Sequence, residues 1–196
     1  MKHAKKNHAM ISTAVLAMIA TAAVACGSLS GTAATSSTTG KGSSASLSDG
    51  SQISSLLQSG LTQADQEKWS AAATTFKNVL AINPGDVYAD YDLGVIAQST
   101  GNPSEAIGYY NKAIAANAAY TPAMYNEAIL LESSQPQQAI AMYQKIVGID
   151  PRASTAYLRM ALVQAEQGDT TEAKANDAEA ISIDPALSKY KLPVKN

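Results

Sequence analysis

Histidine and cysteine are nearly missing from this sequence. Its two histidines, His3 and His8, stand within the first eight residues, and its one cysteine is Cys26. A single cysteine allows no disulfide within the chain. From Gly27 onward there is neither imidazole nor thiol. The commonest general base, the thiol nucleophile and the usual zinc ligands are therefore absent from that stretch. Neither catalysis nor a metal centre is expected, and no residue pattern asks for a cofactor. Charge is sparse as well, at 15% of residues. The formal charge of −2 becomes −5 once Lys2, Lys5 and Lys6 are set aside, so nucleic acid is not an expected partner. Glycine (12) and proline (7) are too few for a sandwich built on many tight turns. What is plentiful is alanine, serine and threonine, with nine tyrosines as the main aromatic. That mixture suits closely packed helices better than strands.

The amino terminus has its own order. Met1 to His8 is basic, Ala9 to Ala25 is free of charge, and Cys26 follows at once. This is the sequence plan of a secretory signal. The uncharged run has 17 residues, many of them alanine or threonine, against the roughly 20 strongly apolar residues of a spanning helix. Ala23-Val24-Ala25-Cys26 resembles a bacterial lipobox, with Ala23 where leucine is usual. Cys26-Gly27-Ser28 is similar to the mature start of lipoproteins of Gram-positive bacteria. The resemblance implies a signal peptide over 1–25, diacylation of the Cys26 thiol, and tethering to the outer face of the cell membrane. The alternative is an uncleaved, single-pass signal anchor. Lipid chains gain about 0.8 kcal/mol per buried methylene, so two or three hold firmly. Residues 26–50 are mostly glycine, serine, threonine and alanine and read as a linker. As a flexible coil it would span about 25–30 Å.

Beyond the linker the sequence repeats itself. Ala72, Ala106, Ala139 and Ala173 are spaced by 34, 33 and 34 residues. Gly60, Gly94, Ala128 and Ala161 are spaced by 34, 34 and 33. Pro84, Pro151 and Pro185 keep the same frame, with Ala118 where one is missing. An aromatic follows the alanine by four in three repeats, as Phe76, Tyr110 and Tyr143. Small residues at such intervals mark places where two helices cross closely, and the aromatic is expected to fill the gap to the next repeat. This pattern resembles the tetratricopeptide repeat family. The second repeat carries the resemblance best, in Tyr91, Leu93-Gly94, Gly101-Asn102, Glu105-Ala106-Ile107, Tyr109-Tyr110 and Lys112-Ala113-Ile114. The fold expected is all-α, a right-handed α-solenoid of four helix-turn-helix repeats over 51–187. The repeats run about 53–86, 87–120, 121–153 and 154–187, with a tail at 188–196.

Helices are expected at about 51–65, 69–82, 87–99, 103–116, 122–133, 136–148, 152–167 and 170–183, with a shorter one near Pro185. Asn102-Pro103, Thr121-Pro122 and Asp150-Pro151 offer a cap followed by proline, and Gly168-Asp169 ends one helix and caps the next. Ser59 and Glu127 stand where leucine is usual. Asp177 replaces the aromatic in the last repeat, where a polar outer face is expected of a terminal repeat. Leu187, Tyr190 and Leu192 are expected to lie over that end, with Lys189, Lys191 and Lys195 facing water.

The resemblance places a ligand groove on the first helices, at the second, fifth, ninth, twelfth and thirteenth places of each repeat. Those places hold Tyr88, Tyr91, Val95, Gln98 and Ser99 in the second repeat. They hold Pro122, Tyr125, Ile129, Glu132 and Ser133 in the third. Thr155, Leu158, Leu162, Ala165 and Glu166 fill them in the fourth, and Ser54, Leu57, Leu61, Ala64 and Asp65 in the first. The groove is expected to be apolar and tyrosine-rich with an acidic tint, which suits a peptide. The lysine, arginine and asparagine that clamp a terminal carboxylate are absent from it, so a C-terminal chaperone tail is disfavoured. Asp90 with Asp92, and Glu127 with Glu132, read as solvated surface charge. The function implied is an adaptor or scaffold that binds a protein or peptide. Alternatives are a structural part of a pilus, secretion or outer-membrane assembly and, more weakly, capture of cell-wall glycans.

Overall fold

The computed structural model describes the backbone of residues 43–193 and the side chains of residues 49–193. The signal-like segment, Cys26, most of the linker and Lys195 lie outside the described residues. Eight α-helices are seen among those described: α1 Ser43–Asp65, α2 Trp69–Ile82, α3 Val87–Ser99, α4 Pro103–Ala116, α5 Thr121–Leu131, α6 Pro136–Ile149, α7 Ser154–Gln167 and α8 Thr170–Ile183. A 3-10 helix, Pro185–Lys189, follows. Each helix packs on the one before and the one after it. The result is the expected all-α solenoid of four helix pairs.

The second helix of each pair shows why the array coheres. Its repeating buried positions are Ala72, Phe76 and Val79 in α2, Ala106, Tyr110 and Ala113 in α4, and Ala139, Tyr143 and Ile146 in α6, which buries Ile140 as well. Steps of four and three residues put each trio on one face. The central ring meets a small residue on the first helix of its own pair. A Cβ added to Gly60 would sit 2.7 Å from Phe76 Cε1, and one added to Gly94 2.5 Å from Tyr110 Cε1. The aromatic thus packs first within its own repeat, where the sequence suggested the gap to the next. It reaches onward too: Phe76 shares a cluster with Ala89, Leu93 and Ile96, and Tyr143 with Ala156 and Met160. In α8 the stripe keeps Ala173 and Ala180, but Asp177 stands between them. Asp177 is half-buried, with Oδ1 sealed from water and unpartnered, and so is not a freely solvated cap residue.

Several boundaries differ from expectation. α1 begins at Ser43, eight residues before the expected 51, and takes Ser43–Gly50 from the linker. No proline interrupts this stretch, and once a helix exists each added residue gains a backbone bond. α7 begins two residues late because Asp150 Oδ1 accepts from Arg152 N (2.9 Å), forming a turn instead of a cap. Thr121 lies inside α5, and Asn102 turns its amide back to Thr100 (3.1 and 3.4 Å). Asp169 makes no side-chain cap either. Asp86, not singled out from sequence, does cap: its Oδ1 accepts from Ala89 N at 3.0 Å at the start of α3.

The turn between paired helices explains the short third repeat. Gly101 and Gly168 adopt φ of 81° and 94°, and Glu67 takes the same left-handed place at 56°. The third repeat omits that residue. Ser134 N and Gln135 N both close onto Leu131 O there (3.1 and 2.7 Å), which ends α5 at Leu131.

Candidate functional site: the concave face

The first helices touch one another across the repeats, and these contacts define one wall. Asn126 of α5 reaches Tyr91 of α3, and Arg159 of α7 reaches Glu132, the residue that follows α5. The expected groove residues can be placed against it. Tyr88 is 59% exposed and meets Tyr120 edge-on, with ring centroids 5.9 Å apart. Tyr91 is half-buried, 5.4 Å from Tyr120 and 6.0 Å from Tyr110. Tyr125 is half-buried against Tyr143 at 5.8 Å. Val95, Gln98, Ile129, Glu132 and Leu162 are half-buried along the same helices. Leu61 at the first repeat is exposed. Leu158 departs from expectation. It is only 6% exposed, because Leu187 of the 3-10 helix closes over it with Ala180. Leu158 therefore belongs to the terminal core and not to the groove. The expected covering of the array's end is present in Leu187, while Tyr190 remains exposed and Leu192 half-buried.

Three wall residues were missed by the sequence reading: Asp92, Asn126 and Arg159. They occupy the sixth place of successive repeats, at steps of 34 and 33, so the spacing itself was a usable signal. Asn126 Nδ2 donates to the phenol oxygens of Tyr91 (3.3 Å) and Tyr110 (3.4 Å). Arg159 Nε donates to Glu132 Oε1 at 2.8 Å, and its Nη2 pairs with Oε2 of the same carboxylate. Such two-pronged pairing fixes geometry as well as charge. Asp92 has neither kind of partner. Among the described residues no side-chain hydrogen bond to it is seen, and no cation lowers its pKa. Burial, and then the nearby Asp86 charge, push its carboxyl up to about 7. The Asp92 charge is felt in turn by Tyr91, Tyr110 and Tyr120, whose phenols are raised chiefly by burial.

A hydrogen bond ties the two helices of every pair behind this wall. Thr75 donates to Gln63 Oε1 (2.8 Å), Tyr110 to Gln98 Oε1 (2.7 Å), Tyr143 to Glu132 Oε1 (2.7 Å) and Asn176 Nδ2 to Gln164 Oε1 (2.7 Å). Gln98 and Glu132 are thus structural as well as groove-lining. The carboxylate pairs were misread as solvated. Asp90 and Glu127 are each 2% exposed, and each keeps one oxygen with no partner. Burial raises both pKa values, opposed by Lys112 at Asp90 and by Asn111 and Lys145 at Glu127. Glu127, at the first-helix place that usually takes leucine, is covered there, whereas Ser59 at the same place in the first repeat is exposed.

No group of three or more His, Cys, Asp or Glu that could hold a metal is found among the described residues. Nor is any described helix long and apolar enough to cross a membrane. Away from the wall, clefts of about 190 and 280 Å³ open around Trp69, Glu105, Tyr109 and Lys112. Both are smaller than the ~300–1,000 Å³ usual for a small-molecule site.

Comparison with known proteins agrees with this architecture. The tetratricopeptide repeat family matches twice, over residues 57–121 and 130–176. No curated protein matches the chain. Among solved structures, MamA is similar at 26% identity and a TM-score of 0.64, covering 70% of this chain and 81% of its own. YrrB, described as a tetratricopeptide repeat protein with an unusual peptide-binding site, is 20% identical with a TM-score of 0.60, covering 71% and 74%. PilF of Pseudomonas aeruginosa is 19% identical with a TM-score of 0.64, covering 72% and 66%. The two family matches together take in more than half of the chain, and the helix pairs carry their period. The chain belongs to the tetratricopeptide repeat proteins.

Proposed function

We propose that this chain is a non-catalytic binding module, tethered through Cys26 outside the cytoplasm, whose concave face takes a segment of a partner protein. One observation carries the reading. Of the large hydrophobic side chains left exposed among the described residues, Leu61 (38%) and Tyr88 (59%) stand at expected groove places on first helices, whereas Ile149 ends α6 and Tyr190 lies in the tail. Tyr91, Val95, Tyr125 and Ile129 continue that surface, half-buried. Exposed tyrosine offers broad contact with a hydrogen-bonding tip, as recognition surfaces use it. The likeness to YrrB supports a peptide as the bound form. The basic, uncharged, then lipobox-like start of the sequence supports the tether.

Crosslinking in the native cells, followed by mass spectrometry, tests both parts. The Leu61→Ala/Tyr88→Ala double variant is expected to lose the partner that the wild type captures, because both side chains are exposed and the fold keeps its core. Capture of every partner by the double variant would count against the groove. Cys26→Ser is expected to abolish incorporation of a labelled fatty acid and to release the protein from membranes.

A further inference from the structure

The wall is uneven in charge, and the unevenness selects a partner. Of the side chains on the concave stripe, Arg159 is the one cation, and Glu132 holds it. Asp92 is left without a counter-charge. Its surroundings are aromatic: Tyr91, Tyr110 and Tyr120 lie within reach of its charge, and Tyr88 packs edge-on against Tyr120. Tyr88 and Tyr120 come from opposite ends of the second repeat, Tyr88 from the start of α3 and Tyr120 from the residue before α5. Tyr88 packs edge-to-face on Tyr120 and leaves the rest of its ring exposed to solvent.

We infer that this tyrosine collar is a socket for the lysine or arginine side chain of an extended peptide segment, with Asp92 as the counter-ion. The inference rests on the proposed groove and names the chemistry it recognises. A ring face attracts a cation through its quadrupole, more strongly the more the site is desolvated. The half-buried Asp92 carboxylate, close enough for its charge to act on these phenols, adds a charge-assisted hydrogen bond. Val95 and Ile129, one turn beyond Tyr91 and Tyr125, supply apolar surface for the methylene stem. An acidic or C-terminal carboxylate ligand would meet Asp92 with like charge and find no free cation on the wall.

A random-peptide display selection on the full chain tests this, with counter-selection on Leu61→Ala/Tyr88→Ala to isolate groove binders. The expected result is groove binders enriched in lysine or arginine, whose affinity falls at least tenfold in Asp92→Asn. Asp92→Asn removes a destabilised charge and so keeps the fold. Tyr88→Ala, at an exposed side chain, should weaken the same peptides severalfold. Groove binders without basic enrichment overturn the socket while leaving the binding module standing, as do basic peptides indifferent to Asp92→Asn. A selection that yields no groove-dependent peptide overturns the module reading itself.

Discussion

The two halves of the concave wall are built on the same backbone and treat charge in opposite ways. In the half toward the carboxyl end, Arg159 and Glu132 neutralise each other, Tyr143 donates to the same carboxylate, and Leu187 closes over Leu158. In the half toward the amino end, Asp92 holds the place equivalent to Arg159 and faces tyrosines with no counter-charge. Tyr88 is left open there, with its rim exposed. A solenoid repeat fixes where side chains stand but not whether their demands are met within the chain. The half that meets its own demands is tied internally, and the half that does not is where we propose that a partner docks.

The sharpest way to separate the halves is at their aromatic anchors. Tyr110→Ala removes a fully buried ring and two side-chain hydrogen bonds, so it should cost about 3–5 kcal/mol in denaturant unfolding. Asp177→Ala, at the matching place in the last repeat, should be neutral or gain up to about 1 kcal/mol, since it deletes an unpartnered oxygen. Equal losses at both sites would erase the distinction.

Next in size is the ion pair. Arg159 and Glu132 keep 27% and 18% of their side-chain surface exposed, so the pair is only partly desolvated. Arg159→Met strands a half-buried carboxylate and should cost about 1–3 kcal/mol at neutral pH. Adding Glu132→Gln should recover part of that loss. A double variant as unstable as the sum of the singles would show that the pair does not couple.

The pH response should be of similar size and opposite in sense at the other half. Asp92 ionises near 3.8 when unfolded and near 7 when folded. Between those values the native state holds a proton that the unfolded chain has lost, so this group's contribution to stability falls as pH rises from about 4 through 7. Asp92→Asn should flatten that slope and raise stability at pH 8 by about 1–3 kcal/mol, allowing for solvent screening. Chemical denaturation at several pH values measures both. The smallest expected effect lies in the turns. Glu67 occupies the left-handed place that Gly168 fills in the last repeat. Glu67→Gly should stabilise by about 0.5–1 kcal/mol, read as a higher unfolding midpoint.

Much of the fold was legible because the repeat is written in residues with little choice. Gly60 and Gly94 have no room for a Cβ against the rings, so the period survives in the sequence. Five of the eight helices end within a residue of expectation at both termini. The wall was less legible. Leu158 stands at the same fifth place as Tyr91 and Tyr125, but its repeat is the last and Leu187 of the 3-10 helix closes over it; the sixth place, Arg159 included, was passed over in every repeat. The buried carboxylates were unreadable for another reason: Asp90 is influenced by Lys112 of α4, and Glu127 by Asn111 of α4 and Lys145 of α6, relations between helices that no local pattern encodes. Helix caps misled because aspartate and asparagine also form turns, as Asp150 does.

The most direct test is to follow the side-chain carboxyl carbons of Asp92 and Glu132 by NMR across a pH titration of one sample. An open, uncompensated amino-terminal half predicts an Asp92 midpoint near 7, with the Glu132 signal moving in step with the Arg159 resonances. An Asp92 midpoint near 4 would mean that the chain already supplies the missing counter-charge, and the difference between the two halves would disappear.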